Sequence, residues 1–366
     1  MKLVVFGLSV SSSWGNGHAT LWRGLIKGLH RLGHRVIFFE HDTPFYARHR
    51  DLWELPGGEL ILYSSWDDVR RQASTHLDDA DAAMVTSYCP DAALASDAVL
   101  SSPARVRCFY DLDTGVTLDR VRSGQPVDYI PAGGLGDFDL VLSYTGGLAL
   151  AELKTRLHAR HVAPLYGSVD PEVHHPASPE ERFRADLSYL GTYAADRQRA
   201  LEELFIEPAR QRPDLRFVLG GPQYPGEFPW TPNLFFIPHV PPDEHPAFYC
   251  SSRLSLSVTR GPMAEMGYCP SGRLFEAAAC GVPIVSDEWD GLDYFFEPGR
   301  EIIAARTTGH VMDALAMSDD DLSRIADAGR ERVLAMHTAD RRALDLENIL
   351  EAALSLPVEP AGAARE

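Results

Sequence analysis

Short apolar runs alternate with amphipathic segments along most of the chain. Lys2 to Gly7 reads as a buried strand, Ala19 to Leu32 as a helix with Leu21, Leu25, Leu29 and Leu32 on one face, and Arg35 to Phe39 as the next strand. Strand-like runs continue at Leu60 to Tyr63, Ala83 to Thr86, Arg105 to Tyr110, Leu140 to Ser143 and Val162 to Leu165. The segment after Pro164, LYGSVDPEVHHPASPEERFRADL, is rich in Pro, Ser and charge and reads as a linker. Beyond it the alternation restarts at Leu187 to Leu190, with a helix over Arg197 to Gln211. Further strands follow at Arg216 to Leu219, Leu234 to Ile237, Leu254 to Ser257, Pro283 to Val285 and Ile302 to Ala304. Strands that alternate with helices predict parallel sheets with right-handed crossovers, so the simplest account is two α/β halves joined near residue 170. The end of the chain reads as helical, and the tail after Pro357, VEPAGAARE, is expected to be disordered.

Composition narrows this picture. The 366 residues are long for one domain and comfortable for two, and 45% hydrophobic with 23% charged is ordinary for a globular protein. With 34 Lys+Arg against 52 Asp+Glu, the formal net charge of −18 disfavours non-specific nucleic-acid or anionic-lipid binding, and no basic cluster offsets it. Five cysteines, Cys89, Cys108, Cys250, Cys269 and Cys280, show no CxxC spacing, which argues against a disulfide framework or structural zinc and for reduced thiols. The apolar run MKLVVFG is too short for a signal peptide or a span, and no apolar stretch of about 18 residues occurs. A cytoplasmic protein is therefore expected.

Two constellations carry candidate chemistry. In WGNGHATLWRGLIKGL, after the first strand, Gly15 and Gly17 permit a tight loop and His18 opens the next helix at the carboxyl edge of the sheet. Thr20 occupies the third glycine position of a dinucleotide fingerprint, so a nicotinamide enzyme is a poor reading. In CPSGRLFEAAACGVPIVSDEWDGL, Pro270, Ser271 and Gly272 lead into a helix whose free amides suit a diphosphate, with Arg273 adding charge. Glu276 lies one turn further on, where a carboxylate accepts both hydroxyls of a ribose; small residues Ala277 to Ala279 follow, and Gly281 ends the helix.

The pattern GRLFEAAACGVPIVSD resembles the nucleotide-sugar signature of glycosyltransferases of GT-B architecture, in the group that includes retaining family-4 enzymes. GNGH with GHRVIFFE resembles that fold's first β-α-β unit, LYGSVDPEVHHP its interdomain linker, and LSYLGTYAADRQRALEELF the start of its second domain. The segment AGRERVLAMHTADRRALDL is similar, more narrowly, to the CgeB-type spore-maturation branch. The resemblance implies an α/β protein of GT-B architecture, two Rossmann-like α/β/α domains facing across a cleft. Residues 1–170 would form an acceptor-binding domain and 171–338 a nucleotide-sugar-binding domain. A helix over 339–357 would pack back on the first domain, with 358–366 a disordered tail.

Carried over by position, the resemblance places Glu276 on the ribose and Gly272 with Arg273 on the phosphates. Arg197 in GTYAADR is a cation near the diphosphate, Arg260 in SVTRGPMAEMGY a second, and His239 in FIPHVPP borders the base. Family-4 enzymes usually carry an acid eight positions before the ribose Glu; here Tyr268 stands there. Either Glu265 replaces it, or Tyr268 contacts the donor sugar, or the sugar is handled differently. On the acceptor side the candidates are His18 for proton transfer, then Tyr88 and Asp91 in VTSYCPDA and Asp111 and Asp113 in YDLDT. The DLD triplet invites a metal reading, but the resemblance implies metal-independent catalysis, with Arg197, Arg273 and helix amides neutralising the leaving diphosphate and no cofactor besides the donor. The expected function is transfer of a sugar from a nucleoside-diphosphate sugar to an acceptor hydroxyl or amine. The alternatives are a nucleotide-sugar 2-epimerase and a non-catalytic protein of a surface or spore-coat assembly. The cations Arg197, Arg260 and Arg273 are expected to converge on one cleft.

Overall fold

The computed structural model describes residues 1–355 of the chain. The expected tail, and the last two residues of the expected 339–357 helix, lie outside the described residues. Seven strands form the first sheet: β1 (Lys2–Gly7), β2 (Arg35–His41), β3 (Gly58–Tyr63), β4 (Ala82–Thr86), β5 (Val106–Asp111), β6 (Leu140–Ser143) and β7 (Val162–Pro164). Six form the second: β8 (Ala185–Leu190), β9 (Phe217–Gly220), β10 (Leu234–Ile237), β11 (Ser252–Ser257), β12 (Ile284–Asp287) and β13 (Ile303–Ala305). Every pairing is parallel, in the orders β3-β2-β1-β4-β5-β6-β7 and β10-β9-β8-β11-β12-β13. Each order reverses once, between β1 and β4 and between β8 and β11, and such reversals open a crevice at the carboxyl ends of the strands.

The burial explains the sequence pattern. β1, β2 and β4 are buried on both faces, so they read as apolar runs rather than as alternation. On one face Phe6 stacks on Phe39 at 4.8 Å; on the other Trp22 meets Phe38 and Tyr110 edge-on. The second sheet is covered in the same way, with Leu187, Tyr189, Phe205, Phe217 and Leu256 in one apolar layer.

The Gly17–Arg31 helix starts on Asn16, whose side chain accepts from the His18 amide, and buries Leu21, Trp22, Leu25, Ile26 and Leu29. Its back carries the Ala339–Leu354 helix. A Cβ on Gly28 would stand 2.8 Å from the Ala339 carbonyl oxygen and 2.9 Å from the Ala343 Cβ, so this contact requires glycine. Two segments cross between the sheets side by side, where the Val169 amide donates to the His337 oxygen at 3.0 Å and the Ala339 amide to the Val169 oxygen at 2.7 Å.

The expected Arg197–Gln211 helix is not uniform. It opens as a 3-10 turn over Ala195–Arg197, runs as α-helix through Gln198–Leu201, widens to a π-turn over Glu202–Ile206 and ends with Glu207–Gln211. Pro208 has no amide hydrogen and its ring crowds the preceding turn, which the wider turn accommodates.

Candidate functional site

The two reversal points face each other across a cleft of about 1030 Å³. The loop after β1 supplies one wall. Gly15 takes a φ of +61°, which lets the chain turn under Gln223 of the opposite half; a side chain there would be strained. Two residues on, His18 projects from the first turn of its helix. Its Nε2–H donates to Asp113 Oδ2 at 3.0 Å, because a carboxylate only accepts, and this leaves Nδ1 with a lone pair, enclosed and without a partner. Burial works to raise the Asp113 carboxyl, but the bond from His18 and the charges of Arg260 and Arg197 outweigh it and hold it below the usual range. Tyr88, also at positive φ (61°), lies with its ring 6.0 Å from that of His18.

The opposite wall is cationic. Arg197 donates through Nη1 to the Thr192 oxygen at 3.0 Å, and its Nε is enclosed with no partner. Arg273 lies over the Tyr189 ring at 5.2 Å, and its Nη1 is likewise enclosed and unpartnered. Burial first, then the nearby charges of Arg273 and Arg260, lower the pKa of Arg197. Arg260 is held by Asp196 at 2.7 Å and stands 4.0 Å from Asp113. Ser271 and Gly272 open the Gly272–Ala279 helix, and the Ser271 side chain makes no capping bond to it. Two of the three guanidinium groups therefore stand near each other with N–H donors unsatisfied, an arrangement that suits an anionic ligand.

At the far end Glu276 is 9% exposed. The Tyr249 hydroxyl donates to its Oε2 at 3.1 Å. Burial tends to raise this carboxyl, but His174, His245, the Tyr249 bond and Arg273 keep it below the usual range. Burial pushes His174 itself down to about 4, so at neutral pH that ring is uncharged. His239 lines the cleft and packs at 4.4 Å on Trp14, whose other side stacks on His49 at 4.2 Å. This aromatic sandwich joins the two halves.

The structure thus gathers Gly15, Gly17, His18, Tyr88, Asp113, Arg197, His239, Arg260, Ser271, Gly272, Arg273 and Glu276 around one cleft. Four candidates stand apart from its lining. Asp91 is engaged by His41 Nδ1 and the Tyr63 hydroxyl, both at 2.8 Å. Asp111 is fully buried beneath the wall, where its Oδ1 accepts from the Asp113 amide at 3.0 Å and Oδ2 has no partner; burial pushes its pKa up to about 7. The Glu265 side chain is 68% exposed and faces Arg122 at 4.0 Å. Tyr268 adopts a φ of +47°; its amide donates to the Asp290 oxygen, its own oxygen accepts from the Gly146 amide, and its ring covers Gly291. Neither replacement considered for the missing acid therefore reaches the cleft: Glu265 turns to solvent, and Tyr268 is spent on joining loops. Residues that the sequence reading passed over include Trp14, His174, Tyr189, His245 and Tyr249. The HHP of the linker was the one local signal for His174.

A family model described as "Glycosyl transferase-like" matches residues 197–348. No curated protein matches the chain. Among solved structures, sucrose-phosphate synthase from Thermosynechococcus elongatus superposes with a TM-score of 0.70 at 13% identity, covering 96% of this chain and 99% of that one. Anabaena HepE, in complex with UDP-glucose, gives 0.68 at 14% identity over 96% and 100%. A glycosyltransferase from Rickettsia africae gives 0.64 at 12% identity over 97% and 99%. No helix among the described residues is long and apolar enough to cross a membrane. Two parallel Rossmann-like sheets, the cleft between their reversal points and these superpositions make this a protein of GT-B fold, with a glycosyltransferase-like second half.

Proposed function

We propose that this chain is a glycosyltransferase that moves a sugar from a nucleoside-diphosphate sugar to an acceptor hydroxyl or amine. The observation that carries the reading is the pair Arg197 and Arg273, which both line the cleft and each keep a guanidinium N–H without a partner, in a chain of net charge −18. So acidic a protein has reason to hold like charges together only where an anion answers them. The diphosphate would lie against Arg197, Arg273 and the amides at Ser271–Gly272, the ribose hydroxyls on Glu276, and the base beside His239. As the glycosidic bond breaks, negative charge grows on the leaving phosphate, and the fixed guanidinium groups stabilise it without a metal in that step.

On the other wall, His18 would take the proton from the acceptor. Asp113 fixes the ring with its proton on Nε2 and stabilises the imidazolium that results, so the transfer requires Nδ1, enclosed in the ligand-free protein, to open toward the acceptor. The first half is thus the acceptor side and the second the donor side. The resemblance of the HTADRRALDL segment is the ground for proposing the CgeB-type branch; in it His337 packs against Phe275 and Phe296 and Arg342 donates to the Gly167 oxygen. Five free thiols fit a reducing compartment, in keeping with a cytoplasmic enzyme.

The test is turnover of a panel of radiolabelled nucleoside-diphosphate sugars with and without pooled acceptors. Acceptor-dependent release of nucleoside diphosphate is expected. Change of the sugar with no acceptor added indicates an epimerase instead, and binding of no nucleotide in the panel removes the reading.

A further inference from the structure

Behind the ribose end of the cleft, three side chains from distant parts of the chain meet. His174 comes from the segment between the sheets and is 3% exposed; His245 begins the His245–Cys250 helix; Glu276 lies in the Gly272–Ala279 helix. His174 Nε2 stands 3.3 Å from His245 Nδ1 and 3.9 Å from Glu276 Oε1, and His245 Nδ1 stands 4.0 Å from Glu276 Oε2. One ligand atom from each can be chosen so that all lie within 4.8 Å of one another.

The surroundings orient these atoms. His245 Nε2 is 3.1 Å from the Val240 carbonyl oxygen, which only accepts; the ring proton is therefore on Nε2, and Nδ1 turns its lone pair to the centre of the group. The Tyr249 hydroxyl donates to Glu276 Oε2 at 3.1 Å and fixes that carboxylate. A backbone carbonyl behind a histidine and a hydrogen bond behind a carboxylate are the outer contacts that ligating residues carry. With His245 Nδ1 an acceptor, the 3.3 Å contact is a hydrogen bond donated by His174 Nε2–H, so the ion would take the place of that proton, which can move to His174 Nδ1, an atom without a partner. Two nitrogens bound tetrahedrally at about 2.0–2.1 Å stand roughly 3.3 Å apart, the separation the histidines already have, and the carboxylate needs to close in by about half an ångström.

We propose that His174 Nε2, His245 Nδ1 and a Glu276 oxygen form a three-ligand site for a divalent ion of the zinc class. Nitrogen and oxygen donors in this ratio suit zinc over magnesium or calcium, which prefer oxygen alone. His245 and Glu276 also line the cleft, so the fourth coordination position opens toward it. The site does not rest on the transferase reading. If that reading holds as well, ion and ribose share Glu276, and zinc competes with the donor.

The test uses the full chain stripped of metal and kept free of nucleotide. Zinc is titrated in competition with a chromophoric chelator, and cobalt(II) is added in parallel to read its visible absorption. One zinc per chain and the intense bands of tetrahedral cobalt are expected. His245→Gln and His174→Gln should each weaken zinc by more than about tenfold, whereas Cys250→Ser should leave it unchanged. His245 is partly exposed, so if His174→Gln fails to give a native circular-dichroism melt, His245→Gln decides. No stoichiometric zinc in the parent chain, or zinc held equally by His245→Gln, overturns the site. Neither outcome touches nucleotide binding, which is measured separately.

Discussion

Replacing Arg273 with Met separates a ligand-binding cation from a structural one, because a ligand-binding role leaves the ligand-free melt nearly unchanged while nucleotide affinity falls. Arg273 has no carboxylate within salt-bridge distance among the described residues, its Nη1 is enclosed without a partner, and its nearest named bond is a long one, 3.5 Å from Nη2 to the Val258 oxygen. It also adds to the positive field that, after burial, lowers the pKa of Arg197. Met keeps much of the apolar stem against Tyr189; it relieves the repulsion on Arg197 but also takes a favourable charge from the buried Glu276 carboxylate, and the two effects oppose each other. The ligand-free protein should therefore shift by no more than on the order of 1 kcal/mol, a change in Tm of about 1–3 °C or less for a chain of this size. In the presence of a nucleoside diphosphate the loss is large. Losing one charge-assisted hydrogen bond costs about 1.5–3 kcal/mol, which is roughly a 10- to 100-fold weaker Kd. Differential scanning fluorimetry without ligand and isothermal titration with it measure the two halves. A fall of several degrees in the ligand-free Tm together with unchanged nucleotide affinity would make Arg273 a structural residue instead.

Three further substitutions test other parts of the account. Asp113→Asn should lower turnover by about 10²–10⁴-fold with little change in nucleotide affinity, since it removes the charge that sustains His18 as a proton acceptor; equal losses in both would point to the donor side. Gly28→Val drives a side chain into the Ala339 backbone and should cost about 3 kcal/mol or more by urea denaturation, whereas Val at Gly133, which has open space around it and no left-handed backbone, should cost far less. Asp111 is held to about pH 7 against an ordinary value of 3.8, so the native state keeps a proton that the unfolded chain gives up. The stability this contributes is complete below about pH 4 and is lost as pH climbs through 7, a change on the order of 4 kcal/mol. Asp111→Asn should flatten that slope, and denaturation curves that stay parallel to those of the parent chain from pH 4.5 to 8 would contradict it.

The fold was legible because its signals are local. Buried parallel strands such as Leu3 to Phe6 read as unbroken apolar runs, and the Leu21, Leu25, Leu29 spacing repeats every turn of one helix. The glycine loop and the Gly272–Ala279 helix could be placed at strand ends for the same reason. What sequence did not resolve is which polar side chains the fold uses up. Asp91 and Tyr268 sit in loops at the right place along the chain, yet His41 and Tyr63 claim the first and the turn through Gly267 commits the second to packing. Conversely, His174 and His245 are 71 residues apart, and Trp14 and His239 come from opposite halves; no periodicity joins such pairs. The π-turn before Pro208 shows the same limit on a smaller scale, since the apolar pattern marks a helix but not its local widening.

On the proposed function, the cleft binds a nucleoside diphosphate through the arginines of its second half. Calorimetric titration of nucleoside diphosphates into the parent chain, the Arg197→Met/Arg273→Met double variant and Glu276→Ala, all in metal-free buffer, tests it most directly. At least one diphosphate should bind the parent with a Kd below about 100 µM, and the double variant and Glu276→Ala should each weaken it by more than tenfold while keeping a cooperative melt. Equal binding by parent and variants, or no binding of any diphosphate to the folded parent chain, would contradict the account.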